Sequence, residues 1–486
     1  MAVQVFADLN CCNLKVFQEE TMMTEQELLQ KADAFIDANM DDIIKDIKAI
    51  VDIPSVNAPA EEGAPYGKKI KRALLEALKI ADRMGYKTVN CENYMGYAQL
   101  DGQQEKYIGT IAHLDVVPAG NGWHTEPYNM TVKNGYLMGR GVIDNKGPFI
   151  LTLYMAKFFK ELDEKLPYTL RMMCGCDEEC SMSDVEYYVH HYEEPVFLFT
   201  PDSEFPLCNG EKGRLGGNIT SKKFENGVIL DFKGGMAENA VPDEAYAIVK
   251  GDIAKFPEAD RITLTAVPEG VRIDSTGIGG HASHAENTIN AIGVIANYLK
   301  DNDLVTEDEK NYLKMVCLMC EDHQGHGLGI ECDDGKFPPL SIIGGLMRME
   351  NGVMKQNFDS RYPTNTTPDE LVAKMAKLGE QYGATITDVN ATKPFYIEAD
   401  KPEIKACLDS YNDVRGLNGK PFTMGGGTYA RHFKNAISFG TEIPDEPLPD
   451  FVGKIHTADE GIGIERLKMS LKVYILALHR LMQIEF

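Results

Sequence analysis

Between Thr24 and Ile53 the apolar residues Leu28, Leu29, Ala32, Phe35 and Ile36 recur at three- and four-residue spacing, which puts them on one stripe of a helix. Thr24 with Glu27 three residues on forms a capping-box pattern that starts such a helix, and Pro54 stops it. A second amphipathic pattern covers residues 67–84, and residues 86–99 read as strands joined by Asn and Gly turns. The apolar run 107–112 predicts a further strand. Helical patterns over 148–162 and 182–191 then alternate with strand patterns over 169–175 and 196–200. Strand and helix in alternation predict an α/β domain, a mostly parallel sheet flanked by helices.

The pattern changes near Gly210. Short alternating runs at 216–221, 227–232, 245–249, 261–266 and 270–275 predict strands, and helical patterns follow at 287–300 and 307–321. Strands around 340–344 and 352–361, a helix over 367–382 and a strand over 384–397 complete an α+β module inserted into the first domain. A helix from Lys401, the Gly-rich stretch 424–429 and a helix over 464–484 return to that domain. The expected division is an N-terminal extension at 1–22, poorly ordered, a first domain at 23–212 and 393–486, and an inserted lid at 213–392.

At 486 residues, two domains are expected. A net charge of −25, from 49 basic and 74 acidic side chains, argues against a nucleic acid or an anionic membrane as partner. No apolar run reaches the roughly 18 residues that span a bilayer, and the first 20 residues lack a secretory pattern. Eleven cysteines form no disulfide framework. Reduced thiols in the cytoplasm are therefore expected.

Several candidate strands end in metal-binding residue types. The run 107–112 leads to His113-Leu114-Asp115, whose His and Asp share a strand face. Gly139-Arg140-Gly141 leads to Asp144, the strand at 169–175 to Asp177-Glu178-Glu179, and the strand at 196–200 to Asp202. A late loop carries His456. Taken singly, these are a hydrogen-bonded pair, a solvated charge pair and a turn; together they are five loops ending in imidazoles and carboxylates, which suit zinc, manganese or cobalt. Two such ions about 3.5–4 Å apart make a bridging water nucleophilic near neutral pH. Of two adjacent glutamates, one can bind metal while its neighbour handles protons. Cys174, Cys176 and Cys180 read as buried or incidental. Cys317, Cys320, His323 and His326 lack the spacing of a zinc finger and read as a lid helix and its loop. Trp123 either lines a pocket mouth or packs its own loop.

The stretches AHLDVVPAG, GRGVIDNKGP, CDEE, TPDSEFPLCNGEKG, GGHASHAENTINAI, DSRYP, MGGGTYAR and KIHTADE, spread over residues 112–460, resemble the metallopeptidase clan of aminoacylases, glutamate carboxypeptidases and desuccinylases, and most closely its PepV-type dipeptidases. The resemblance implies two divalent ions bridged by Asp144. His113 and Asp202 complete one site, and Glu179 and His456 the other. It further implies that Asp115 holds His113 in its tautomer and that Glu178 is the general base, taking a proton from the bridging water and passing it to the leaving amine. A cis peptide is expected after Asp144. His281, rather than His284, is implied as the oxyanion donor. Asn239 and Arg361 are implied to hold the far end of the substrate, an arginine fork suiting a free carboxylate. The stretch Gly425–Thr428, with Gly427 and Thr428 as candidate substrate contacts, either presents N–H groups to an anion or forms a tight turn before a packed helix start. Relatives often continue the glutamate pair with a Gly-Ser pattern, where this chain has Cys180-Ser181-Met182.

The expected activity is metal-dependent hydrolysis of dipeptides, with zinc as the leading ion. The size of the lid favours a monomer. The alternative on the same ions is an N-acyl amino acid deacylase or desuccinylase. A non-catalytic binding protein on this fold would have lost a ligand or the base, and neither is missing.

Overall fold

The computed structural model describes residues 23–162, 165–282 and 285–486, so the expected extension at 1–22 lies outside the described residues. The first helix, Glu25–Val51, is capped by Thr24 as its sequence predicts: the hydroxyl accepts the Glu27 N–H while the Glu27 carboxylate accepts the Thr24 N–H. Its stripe, Leu28, Ala32, Phe35 and Ile36, is buried in one core with the helices Lys146–Glu161 and Ile464–Leu481.

That core covers a sheet in which the strands run in the order Lys87–Cys91, Met95–Leu100, Tyr168–Gly175, Gln104–His113, Phe197–Thr200, Ala436–Ser438, Cys208–Glu211 and Phe395–Tyr396, with Phe422–Met424 also paired to Cys208–Glu211. The four strands from Tyr168–Gly175 to Ala436–Ser438 are parallel to their neighbours, and antiparallel strands flank them. Parallel strands buried on both faces read as continuous apolar runs, as residues 107–112 do. In an open sheet of this kind a ligand site lies beyond the carboxyl ends of the strands. Three adjacent carboxyl ends lead here to His113, to Asp177-Glu178-Glu179 and to Asp202.

The second sheet is antiparallel throughout. Its order is Ile262–Val267, Gly270–Thr276, Glu244–Val249, Ile229–Gly234, Met347–Glu350, Val353–Tyr362, Gly213–Ser221 and Ala384–Thr392, with Ser341–Ile343 beside Val353–Tyr362. The helices Ala291–Asp301, Glu307–Cys320 and Pro368–Tyr382 contribute Ile295, Tyr312, Val316 and Leu371 to its core. Cys317 and Cys320 belong to that same core, and His326 pairs with Asp322, as a lid helix and loop require. The molecule is thus an α/β domain with an inserted α+β lid.

The single strand expected over 384–397 is two. Ala384–Thr392 ends in the second sheet, Lys393-Pro394 intervenes, and Phe395–Tyr396 pairs with the first sheet, because a proline cannot donate to the ladder. The outward crossing lies alongside: Cys208–Glu211 belongs to the first sheet, Gly213–Ser221 to the second, and Lys212 alone separates them. Arg431 ties both crossings, donating from Nε to Glu211 (3.0 Å), from Nη1 to the Thr392 hydroxyl (3.1 Å) and from Nη2 to the Lys212 carbonyl (2.8 Å). The helix expected from residue 287 begins at Ala291, since Asn290 accepts the N–H groups of Ile292 and Gly293 as its cap.

Candidate active site

Asp144 lies between two imidazoles. Its Oδ1 is 2.7 Å from His113 Nε2, and its Oδ2 is 2.8 Å from His456 Nε2. Asp202 Oδ2 lies 3.8 Å from His113 Nε2 on one side, and Glu179 Oε1 lies 3.2 Å from His456 Nε2 on the other. Within the group His113, Asp144 and Asp202, and again within Asp144, Glu179 and His456, one potential ligand atom from each residue lies within 4.8 Å of those from the other two. The structure thus gathers the five ligands inferred from sequence into two groups that share Asp144. None of the cysteines near them joins either group: Cys174 and Cys176 are buried and Cys180 is exposed.

The candidate ligands His113, Asp144 and Asp202 are supported by the chain around them. The peptide bond between Asp144 and Asn145 is cis, where the resemblance placed it, and Asn145 Nδ2 donates to the Pro201 carbonyl (2.6 Å) and to Asp202 Oδ1 (3.0 Å). His113 Nδ1 lies 2.9 Å from the backbone oxygen of Asp115 and 3.5 Å from its carboxylate. The ring is therefore oriented mainly by a main-chain carbonyl, which fixes Nδ1 as the protonated nitrogen and turns Nε2 to the site. The Asp115 carboxylate is turned to the glutamate pair, accepting the N–H of Glu178 (3.2 Å) and of Glu179 (3.0 Å). It therefore acts on the loop of the general-base candidate as well as on the imidazole.

That loop closes without the Gly-Ser pattern. The Asp177 carbonyl accepts from Ser181 (3.2 Å) and Met182 (2.8 Å), and Met182 takes the left-handed conformation at φ 55°. Asp177 Oδ2 accepts from the hydroxyls of Ser181 (2.5 Å) and Ser183 (2.7 Å). Buried Asp184 accepts the N–H of Cys176 and of Asp177 and, at 2.5 Å, the Tyr429 hydroxyl. Sequence reasoning missed Asp184 and Tyr429. A carboxylate at the start of an amphipathic helix reads as an exposed helix-end charge until its partner from residue 429 is placed against it.

The late loop is clamped at two successive residues. Asp459 accepts the N–H groups of His124 (3.0 Å) and Thr125 (3.0 Å), and Glu460 accepts those of Gly141 (3.1 Å), Ile143 (3.1 Å) and Asp144 (3.4 Å). The chain that carries His456 therefore also fixes the backbone of Asp144. Trp123 donates to the Ala119 carbonyl (2.7 Å), with the Arg140 guanidinium 5.3 Å from its ring centre, so it packs its own loop.

The electrostatics fit a cation site. Burial pushes the Glu178 carboxyl well above its usual range, and Asp202 and Glu179 add to the rise. Burial raises Asp202 to about 8, with Asp144 and Glu179 adding to it against the opposing pull of His113. The bonds to Asp144 and Glu179 lift His456 to about 11. Burial works against the charged form of His113, yet Asp202, Asp115 and Asp144 together carry it well above its ordinary value. Crowded carboxylates that must borrow protons are relieved by positive charge, and imidazole with carboxylate oxygen is the donor set of zinc, manganese or cobalt.

The remaining inferred residues lie on the lid and the Gly-rich loop. Ala240–Val241 pairs with Gly280–His281, Ala240 opposite His281, and the Asn239 carbonyl accepts the Ala282 N–H (2.9 Å). Asn239 and His281 are thus backbone neighbours; the His281 side chain and residue His284 lie outside what is described. Arg361 donates from Nε to Asp359 (2.8 Å) and from Nη1 to the Gly425 carbonyl (3.2 Å). The N–H of Thr428 (3.1 Å) and its hydroxyl (2.6 Å) both go to Glu211, so in this arrangement neither donor is left for an anion. A buried carboxylate demands such partners. A Cβ on Gly427 would stand 2.8 Å from the Arg431 guanidinium, so a larger residue there would have to displace the arginine from Glu211.

The pattern of Peptidase family M20/M25/M40 matches residues 109–480. The chain belongs to this family. As an M20 peptidase it is a metallopeptidase. Over 469 residues it is 29% identical to the Beta-Ala-Xaa dipeptidase of Lactobacillus delbrueckii subsp. lactis, covering 92% of this chain and 97% of that one. Two solved structures share the fold: the aminoacylhistidine dipeptidase of Vibrio alginolyticus (TM-score 0.58, 13% identity, 90% of this chain and 95% of that one) and the dipeptidase Dug1p of Saccharomyces cerevisiae (TM-score 0.57, 13% identity, 94% and 99%). Among the described residues of this M20 peptidase no helix is long and apolar enough to cross a membrane.

Proposed function

We propose that this M20 peptidase hydrolyses the peptide bond of dipeptides at two divalent ions, with zinc the leading ion and manganese or cobalt acceptable to the same donors. The observation that carries the reading is Asp144 shared between two ligand groups, with Glu178 adjoining a ligand in sequence and pushed toward its protonated form. The Beta-Ala-Xaa dipeptidase that the chain matches nearly end to end supports the choice of dipeptide over other amides. His113 and Asp202 would hold one ion and Glu179 and His456 the other, with Asp144 contributing to both. Bound ions supply Lewis acidity that polarises the scissile carbonyl and acidifies water.

The protein's own groups do the rest. Glu178 receives the proton of the attacking water on its carboxylate and delivers it to the departing amine nitrogen; a carboxyl with a raised pKa suits both transfers. Asp115 keeps His113 and the glutamate loop in place. His281 donates to the carbonyl oxygen as negative charge develops there. Asn239 and Arg361 hold the substrate carboxylate, Gly427 lets the substrate chain approach, and Thr428, whose donors serve Glu211, keeps the loop in shape. The two domains run 23–212 with 393–486, and 213–392, each chain acting as a monomer. All the described cysteines are free, which supports a cytoplasmic location.

The test is a panel of unblocked dipeptides, tripeptides, and N-acetyl and N-succinyl amino acids, assayed on protein of measured metal content. Unblocked dipeptides should be cleaved fastest. Preferential cleavage of the acyl amino acids would replace this reading with the deacylase.

A further inference from the structure

We propose that Arg214 is a specificity-determining residue, joining Arg361 in a two-guanidinium receptor for the terminal carboxylate of the substrate, with Asp359 as their shared counter-ion. The inference rests on the reading of Arg361 given above and adds to it the residue that keeps its charge available.

The receptor follows from strand register. In the antiparallel pair of Gly213–Ser221 with Val353–Tyr362, Arg214 stands directly opposite Arg361, so both side chains leave the same face. Residues 357, 359 and 361 alternate onto that face, while Met354, Phe358 and Tyr362 point into the lid core. Asp359 accepts from both arginines, Oδ2 from Arg214 Nε at 2.6 Å and Oδ1 from Arg361 Nε at 2.8 Å. Its carboxylate is completely buried, whereas the Arg361 side chain is 12% exposed and the Arg214 side chain 33%. The anion therefore lies beneath the two cations.

Like charges directly opposite each other in a sheet are destabilising. Here two cations meet one buried anion, which leaves one positive charge over. Glu238 does not cancel it: its carboxylate is 3.8 Å from Arg214 and 61% exposed, in the range where ion pairs are weak. The same face of the strand also gathers the other substrate elements. Asn357 Nδ2 donates to the Glu238 carbonyl at 3.1 Å, next to Asn239, and Arg361 reaches the Gly425 carbonyl of the Gly-rich loop. The surplus charge thus sits between the Asn239 segment and the Gly-rich loop, both read as substrate contacts. Without Arg214, Asp359 offsets Arg361 charge for charge, although Arg361 itself is untouched. The ligand class is a peptide with a free α-carboxylate.

The experiment compares alanyl-leucine with alanyl-leucinamide on zinc-loaded protein, the amide being scored as a competitor where it is not turned over. Arg214→Gln should raise KM for the acid about tenfold or more, with a smaller change in kcat, and shift the amide by less than about threefold. Arg214→Lys, which keeps the charge and can keep the single bond to Asp359, should stay within about threefold of the parent. A parallel loss for acid and amide in Arg214→Gln, or no loss for either, overturns the proposal, as does loss of selectivity in Arg214→Lys. Arg361→Gln separates the layers. If it leaves the acid-to-amide ratio unchanged, the reading of Arg361 fails. If it collapses the ratio while Arg214→Gln does not, only the role of Arg214 fails.

Discussion

Glu460 Oε2 lies 2.6 Å from Arg140 Nη1, and both side chains are almost wholly enclosed. The other oxygen of Glu460 receives the amides that lead to Asp144, so one carboxylate joins a buried cation, the shared ligand and the chain carrying His456. Removing one partner of a buried pair strands the other, at a cost of about 3–5 kcal/mol. Glu460→Ala should lose stability on that scale in urea denaturation of the metal-free protein. It should also bind metal more weakly, because Asp144 and His456 lose their common anchor. Glu460→Gln, which keeps an acceptor for the amides, should lose less in both measurements.

Glu178 contributes no atom to either ligand group. Glu178→Gln should therefore keep the metal content of the parent by elemental analysis while kcat falls by about a hundred- to ten-thousandfold, the usual share of a positioned general base. Activity equal to the parent's would remove Glu178 from the mechanism.

The two ligand groups make separable predictions for metal content. His456→Ala disrupts the group with Glu179, and His113→Ala the group with Asp202. Each variant should retain about one ion fewer than the parent after dialysis against trace zinc. Chelation of the parent should abolish hydrolysis, and zinc should restore it. It should also lower the unfolding temperature, since a ligand at a hundred times its Kd stabilises by about 2.7 kcal/mol. An unchanged ion count in both variants would refute the assignment of these ligands.

Burial raises Asp184 to about 7, with Asp115 adding to the rise and Tyr429 and the Cys176 and Val185 amides opposing it. An acid whose folded pKa exceeds its unfolded value binds more protons in the native state between the two, so its contribution to stability is present below about pH 4 and is lost as pH climbs to about 7. Through that window the metal-free parent should lose up to about 1.4 kcal/mol per pH unit from this group. Asp184→Asn should flatten that part of the profile in denaturant titrations at pH 5, 6 and 7. Equal slopes for parent and variant would show that Asp184 does not titrate there.

The elements legible along the chain were those with local causes. The capping pair at Thr24 starts a helix where its spacing says it should, and the structure shows the same pairing at Thr306 and Thr367. Apolar runs such as Phe197–Thr200 name buried parallel strands. Segments whose fate depends on a distant partner were less legible. The short strand Ala436–Ser438 has no amphipathic pattern because all three of its residues are buried, so neither face of the sheet is marked polar. Thr428 reads as a loop donor until Glu211 is brought against it from the first crossing.

The sequence by itself determined which residue types end the strands and occupy the connecting loops, and so the chemistry available: imidazoles and carboxylates at His113, Asp144, Glu178, Glu179, Asp202 and His456. Alternation and capping act over a few residues and survive in the linear text. The tertiary structure alone decided that Arg214 stands opposite Arg361 over one buried Asp359, that Thr428 serves Glu211, and that Glu460 binds the late loop to the early one. Those relationships are set by strand register and by buried charges finding partners far along the chain, and neither leaves a local pattern to read.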